Sequence, residues 1–152
     1  GKLTDAEFEV MKSHALLGGE TLSAVARAHP SEKYLTMARD IALTHHERYA
    51  GRGYPHGLAG DDIPLSGRIT SLADVYDALT TARVYKPKFS HDRARQIILA
   101  GRGTQFDPDV VEAFLNREQD FIRIAGELDA RKVGVAISSL QFSPVPIAPI
   151  NC

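Results

Sequence analysis

Apolar residues recur at three- and four-residue intervals along almost the whole chain, and that spacing commits it to helices. Thr4-Asp5-Ala6-Glu7 reads as a capping box that starts the first helix, with Phe8, Met11 and Ala15 inward. Gly18-Gly19 is expected to interrupt it before a second helix through Leu22, Val25 and Ala26, which His29-Pro30 ends. A third is expected from about Ser31 to His46, with Tyr34, Ala38, Ile41 and Ala42 on its buried stripe. Residues 47–64 break the pattern: Gly51, Gly53, Gly57 and Gly60 fall within ten residues, flanked by Pro55 and Pro64, so no regular helix fits there. Helical spacing then resumes through Ile69, Leu72, Ala73, Tyr76 and Leu79, again from Ser90 through Ala94, Ile97 and Ile98, and again after the Asp107-Pro108 start signal. Phe121, Ile122, Ala125 and Leu128 extend it, whereas Val133, Val135 and Ile137 alternate weakly like a strand. The fold class is all-α, with an irregular, proline-containing C-terminal tail. The expected division is 1–128 for the domain and 129–152 for the tail.

Composition narrows the function classes. A net charge of -1 over 152 residues argues against a broad surface for a nucleic-acid polymer, though not against a local cationic patch. The single cysteine, Cys152, allows neither an intrachain disulfide nor a CxxC metal site. That suits a reducing, cytoplasmic setting. The N-terminus lacks the apolar stretch of a signal peptide. Residues 133–152 are uncharged, but Pro144, Pro146 and Pro149 would break a helix there, so no membrane segment is expected.

Four side chains are candidate metal ligands. His14 and His45 are expected to point inward, Asp74 stands beside Ala73 on a mostly apolar helix, and His46 follows His45 directly. A carboxylate aimed into a helical core is costly unless a cation compensates it. Neighbouring helical residues diverge by roughly 100°, so His45 and His46 serve one cluster only if the site is wide or the helix is ending; the glycines that follow favour an ending. Imidazole and carboxylate without thiolate suit iron, manganese or zinc. Plainer readings stand beside these: a hydrogen-bonded core histidine at His14, and a buried-edge carboxylate pair at Asp74 and Asp77. His29 and His91 read as surface residues. The loop Gly51-Arg52-Gly53-Tyr54-Pro55-His56-Gly57 permits close backbone approach and offers an aromatic face, or is simply a loop. Arg83 and Lys86 suit a phosphate, or belong to a solvated basic loop.

Taken in order, the pieces resemble one family. The string HHERYAGRGYPHGLAGDDIPLSGRITSLADVYDALTTARVYK is similar to the signature of HD-GYP domains, a branch of the HD phosphohydrolase superfamily, and the resemblance spans roughly residues 2–115. It implies an HD-domain-like helical bundle holding two or three divalent ions, iron or manganese, and metal-assisted in-line hydrolysis of cyclic di-GMP to pGpG or GMP. It carries metal ligation to His14, His45, His46 and Asp74, with Glu47 and Asp77 as supports behind them. It carries substrate binding to Arg83, Lys86, Tyr54 and Gly53. It implies a receiver or sensor domain upstream, and contacts between the loop at Gly53-Tyr54-Pro55 and diguanylate cyclases.

One departure follows. The family's namesake His-Asp pair belongs before Gly1, and the His91-Asp92 dipeptide stands in the wrong place. The expectation is therefore a domain missing its N-terminal part and inactive as given. The alternative is a non-catalytic module that binds a cyclic dinucleotide or docks a protein.

Overall fold

The computed structural model describes residues 4–82 and 87–138. The chain divides into two compact units, Gly1–Glu118 and Gln119–Cys152. Among the described residues the elements are α1 (Asp5–Ala28), α2 (Lys33–Thr44), a 3-10 turn (Gly60–Asp62), α3 (Leu65–Thr80), α4 (His91–Ala100), α5 (Pro108–Asn116) and α6 (Glu118–Ser138). The chain is all-α, as its periodicity requires.

Helix ends follow their capping chemistry. Thr4 accepts the Glu7 amide while the Glu7 carboxylate takes the Thr4 N–H at 2.8 Å, closing the capping box. Ser90 caps α4, and Asp107 caps α5 with Pro108 at its first position.

Three expectations about elements are corrected. Gly18-Gly19 does not interrupt the first helix: α1 runs unbroken to Ala28. A Cβ on Gly19 would lie 2.2 Å from Leu43 Cδ2, so the glycine lets α2 pack against α1. That closeness outweighs the roughly 1 kcal/mol a mid-helix glycine costs. The strand-like run at Val133, Val135 and Ile137 lies within α6, which continues to Ser138. Five residues are too few for alternation to separate strand from helix, and extending an existing helix is easy. Finally, Phe8 and Tyr34 are not inward; they are 42% and 59% exposed. Phe8 instead stands edge-on to Tyr54, with ring centres 6.4 Å apart.

The core lies among α3, α4 and α5. Leu72, Tyr76, Ala94, Ile98, Phe106, Val111 and Phe114 are all buried, with the Tyr76 and Phe114 rings 5.7 Å apart. Ile69 and Ala73, on another side of α3, are exposed. His91 is corrected from the surface: its Nδ1 shares a 3.1 Å hydrogen bond with the Tyr76 hydroxyl, and its Nε2 lies 4.0 Å from Glu118. Arg68 of α3 reaches Asp61 at 2.8 Å and Asp107 at 2.7 Å, tying the 3-10 turn and the start of α5 to one helix. In the second unit, Arg123 pairs with Glu127 at 2.8 Å one turn along α6.

α2 and α3 also pack closely. A Cβ on Gly67 would fall 2.0 Å from Thr44 Oγ1 and 2.9 Å from Thr44 Cβ. Thr44 is itself buried, with its hydroxyl bonded to the Asp40 carbonyl. Gly67→Ala is expected to lower unfolding stability by roughly 1–3 kcal/mol, despite alanine's better helix propensity. Adding Thr44→Ala should recover part of the loss. A urea midpoint that Gly67→Ala leaves unmoved would show that the two helices have room to separate.

Candidate metal centre

The site forms where α2 stops. His45 is the C-cap of α2, its N–H still bonded to the Ile41 carbonyl at 3.0 Å, and His46 is already outside the helix. Leaving the helix at this point cancels the divergence that adjacent helical residues would have. The two rings lie 3.9 Å apart, centre to centre. His14, one turn before Gly18 on α1, brings its ring 5.5 Å from that of His45 and 5.0 Å from that of His46. Its side is exposed rather than inward, since it sits about 100° round α1 from the buried Ala15.

Backbone carbonyls fix which nitrogens face the cluster. His14 Nδ1 lies 2.6 Å from the Met11 carbonyl, and His45 Nδ1 lies 2.9 Å from that of Ile41. A carbonyl only accepts, so both Nδ1 atoms carry hydrogen, and in the neutral rings both Nε2 atoms are lone-pair donors to a cation. Those Nε2 atoms face each other at 3.4 Å, and His46 Nε2 stands 3.2 Å from His14 Nε2. Two lone pairs at that distance repel unless something positive lies between them. Ligand atoms of His14, His45 and His46 all fall within 4.8 Å of one another, so the donor set suits a shared divalent ion.

Burial, then the positive fields of His45 and His14, push His46 down to about 4, and the Asp74 carboxylate opposes them. His46 is therefore neutral at pH 7. Asp74 lines the same cavity of about 340 Å³ as His45 and His46. It lies outside the tight imidazole group and is exposed rather than core-facing. It sits two residues from both Leu72 and Tyr76, about 200° round α3 from each. Asp77 accepts the Thr81 hydroxyl at 3.0 Å, a contact local to the end of α3.

Gly53 and Glu47 hold the loop beside the imidazoles. A Cβ on Gly53 would lie 2.4 Å from Glu47 Cα and 2.5 Å from Arg48 N, so only glycine lets the two backbone segments touch. Glu47 is 2% exposed, and its Oε1 accepts the N–H groups of His56 at 2.7 Å and Gly57 at 3.1 Å. The turn between carries a cis Tyr54-Pro55 bond and lays the Tyr54 ring 4.7 Å from His46, tilted by 31°. Burial, then Asp74, raises the Tyr54 phenol above its ordinary value. Arg83 and Lys86 lie outside the described residues. Sequence reasoning passed over three cations that line the cavity, Lys12, Arg48 and Arg52. The signal available was the helical step from Phe8 to Lys12: the ammonium sits 5.4 Å above the Phe8 ring and 5.9 Å from that of Tyr54.

The chain is similar in sequence to known proteins. The family model described as HD domain matches residues 1–110. A cyclic di-GMP phosphodiesterase of Vibrio cholerae serotype O1 is 57% identical over 125 residues, which cover 82% of this chain and 25% of the relative. A 3'3'-cGAMP-specific phosphodiesterase 2 of the same organism is 41% identical over 128 residues, covering 84% and 24%. The cyclic di-GMP phosphodiesterase response regulator RpfG of Xanthomonas campestris pv. campestris is 44% identical over 127 residues, covering 84% and 32%. The chain thus spans about a quarter to a third of the length of these relatives. It belongs to the HD domain family, and its likeness to these phosphodiesterases sets it in the HD-GYP branch.

Proposed function

We propose that the domain serves metal-dependent hydrolysis of a cyclic dinucleotide phosphodiester, cyclic di-GMP foremost, to pGpG or GMP. One observation carries the reading: three imidazole nitrogens converge, those of His14 and His45 with tautomers set by backbone carbonyls, and His45 and His46 line a cavity that also holds a carboxylate. The names of the relatives support the substrate class. His14, His45, His46 and Asp74 would hold two or three ions, iron or manganese. Such ions supply Lewis acidity toward water and toward phosphoryl oxygen. His14 and His45 keep their Nε2 atoms directed at the centre through Nδ1–H donation to Met11 and Ile41. Tyr54, edge-on to Phe8 and tilted over His46, offers a face for a base. Arg83 and Lys86 would hold non-bridging phosphate oxygens and offset charge developing there. Among the described residues no helix is long and apolar enough to cross a membrane.

The full-length protein, purified without chelator, should carry iron or manganese, and chelation should abolish its hydrolysis of cyclic di-GMP until metal is restored. Asp74→Ala should lower metal content and initial rate together, by roughly tenfold or more. Full metal occupancy in Asp74→Ala, measured by elemental analysis, would remove Asp74 from the ligand set.

Arg83→Ala separates substrate from metal. It should lower kcat/KM by roughly 10- to 1000-fold, since a bidentate charged phosphate contact contributes on the order of 1.5–3 kcal/mol and more in the transition state. Metal content should match the parent's, because guanidinium has no lone pair for a cation. A rate within twofold of the parent's would return Arg83 to a solvated loop.

A further inference from the structure

The cavity wall contains two guanidiniums without partners. Arg39, Arg68, Arg95, Arg102 and Arg123 each lie within 4.0 Å of a carboxylate. Arg48 and Arg52 are exposed and line the cavity that holds His45, His46 and Asp74, and neither side chain has a hydrogen bond or ion pair among the described residues. Lys12 adds a third cation to the same wall, steadied by Glu9 at 2.7 Å.

Arg52 also has an unusual backbone. Its φ is 67°, the sole positive value at a non-glycine position among the described residues. It stands between Gly51, with φ 80°, and Gly53. Glycine would occupy this left-handed conformation without steric cost, and arginine does not. The strain alone establishes nothing, but it falls on a cavity-lining residue whose side chain has no partner among the described residues.

We propose that Arg52, with Arg48 beside it, binds the phosphodiester of the cyclic dinucleotide that is not being cleaved, while the imidazole centre addresses the one that is. This rests on the hydrolase reading above. A cyclic dinucleotide carries two anionic phosphodiesters, and one reaction centre engages one at a time. The other loses water on entering the cavity and needs a countercharge there. A guanidinium fork matches two non-bridging oxygens, and clustered cations favour an anion over a neutral base edge. Arginine can also grip guanine through O6 and N7, so a base contact is the competing assignment.

The test uses the metal-loaded full-length protein and its variants Arg52→Gly and Arg52→Lys. Substrates are cyclic di-GMP, 3',3'-cyclic GMP-AMP and bis(p-nitrophenyl) phosphate, a diester with a single phosphate. Arg52→Gly should raise KM for cyclic di-GMP roughly tenfold or more, with a much smaller change in kcat. The ratio of its kcat/KM for cyclic di-GMP to that for the single diester should fall in step. KM for 3',3'-cyclic GMP-AMP should rise in the same proportion, and Arg52→Lys should keep part of the affinity. Thermal unfolding of Arg52→Gly should come no earlier than the parent's, because glycine suits φ 67°. An unchanged substrate ratio overturns the assignment. So does a loss seen with cyclic di-GMP and absent with 3',3'-cyclic GMP-AMP, which would mark base reading. A metal-loaded parent inactive on every diester would instead count against the hydrolase reading. Calorimetric binding of cyclic di-GMP then decides the Arg52 contact by itself: a tenfold weaker Kd in Arg52→Gly sustains it, and an equal Kd ends it.

Discussion

The buried carboxylate of Glu47 is the contact on which the site depends. It lies just past the end of α2, two residues after His45, and one of its oxygens accepts two successive backbone N–H groups from the far side of the loop. The other oxygen is buried without a hydrogen-bond partner. A carboxylate that deep is costly unless it is well bonded, so the loop is held in the one conformation that supplies its donors. Gly53 completes the closure by lying directly on the backbone of Glu47 and Arg48. The Tyr54 ring therefore meets His46, and the cavity acquires both aromatic and cationic lining.

Behind that wall, rigidity comes from packing and from one buried ion group. Gly67 and Thr44 bring α3 against the last residue of α2, so the helix that carries Asp74 is placed relative to the helix that presents the histidines. Arg68, a residue further along α3, bridges Asp61 and the N-cap of α5, Asp107. Its side chain is 16% exposed and that of Asp107 is 3% exposed. Pairing at such depth contributes little net stability against an apolar replacement, but losing one partner leaves an uncompensated charge. The arrangement therefore fixes register more than it adds energy.

Much of the fold was legible in local sequence. Thr4, Ser90 and Asp107 cap helices as their residue types require, because capping depends on atoms within three residues. The glycine-rich span 47–64 holds only a three-residue 3-10 turn, and Gly51, Gly57 and Gly60 take positive φ. Where local rules failed, a distant neighbour had decided. Gly18-Gly19 looks like a break until Leu43 is seen packed against it. His91 looks like a surface residue until Tyr76 and Glu118 close around it.

The sequence by itself determined that the chain is helical, that α2 must end near the paired histidines, and which residue types could hold a cation. Periodicity, caps and glycine spacing act over a few residues and are readable without coordinates. Tertiary structure decided the rest. It set His14 beside His45 and His46, more than thirty positions away, and used main-chain carbonyls to orient the Nε2 atoms of His14 and His45. It placed Asp74 on the cavity wall rather than in the core, because an advance of about 100° per residue separates it from Leu72 and Tyr76. It also gathered Lys12, Arg48 and Arg52 into one cavity, since charge convergence depends on how a loop folds onto a helix and leaves no period in the sequence.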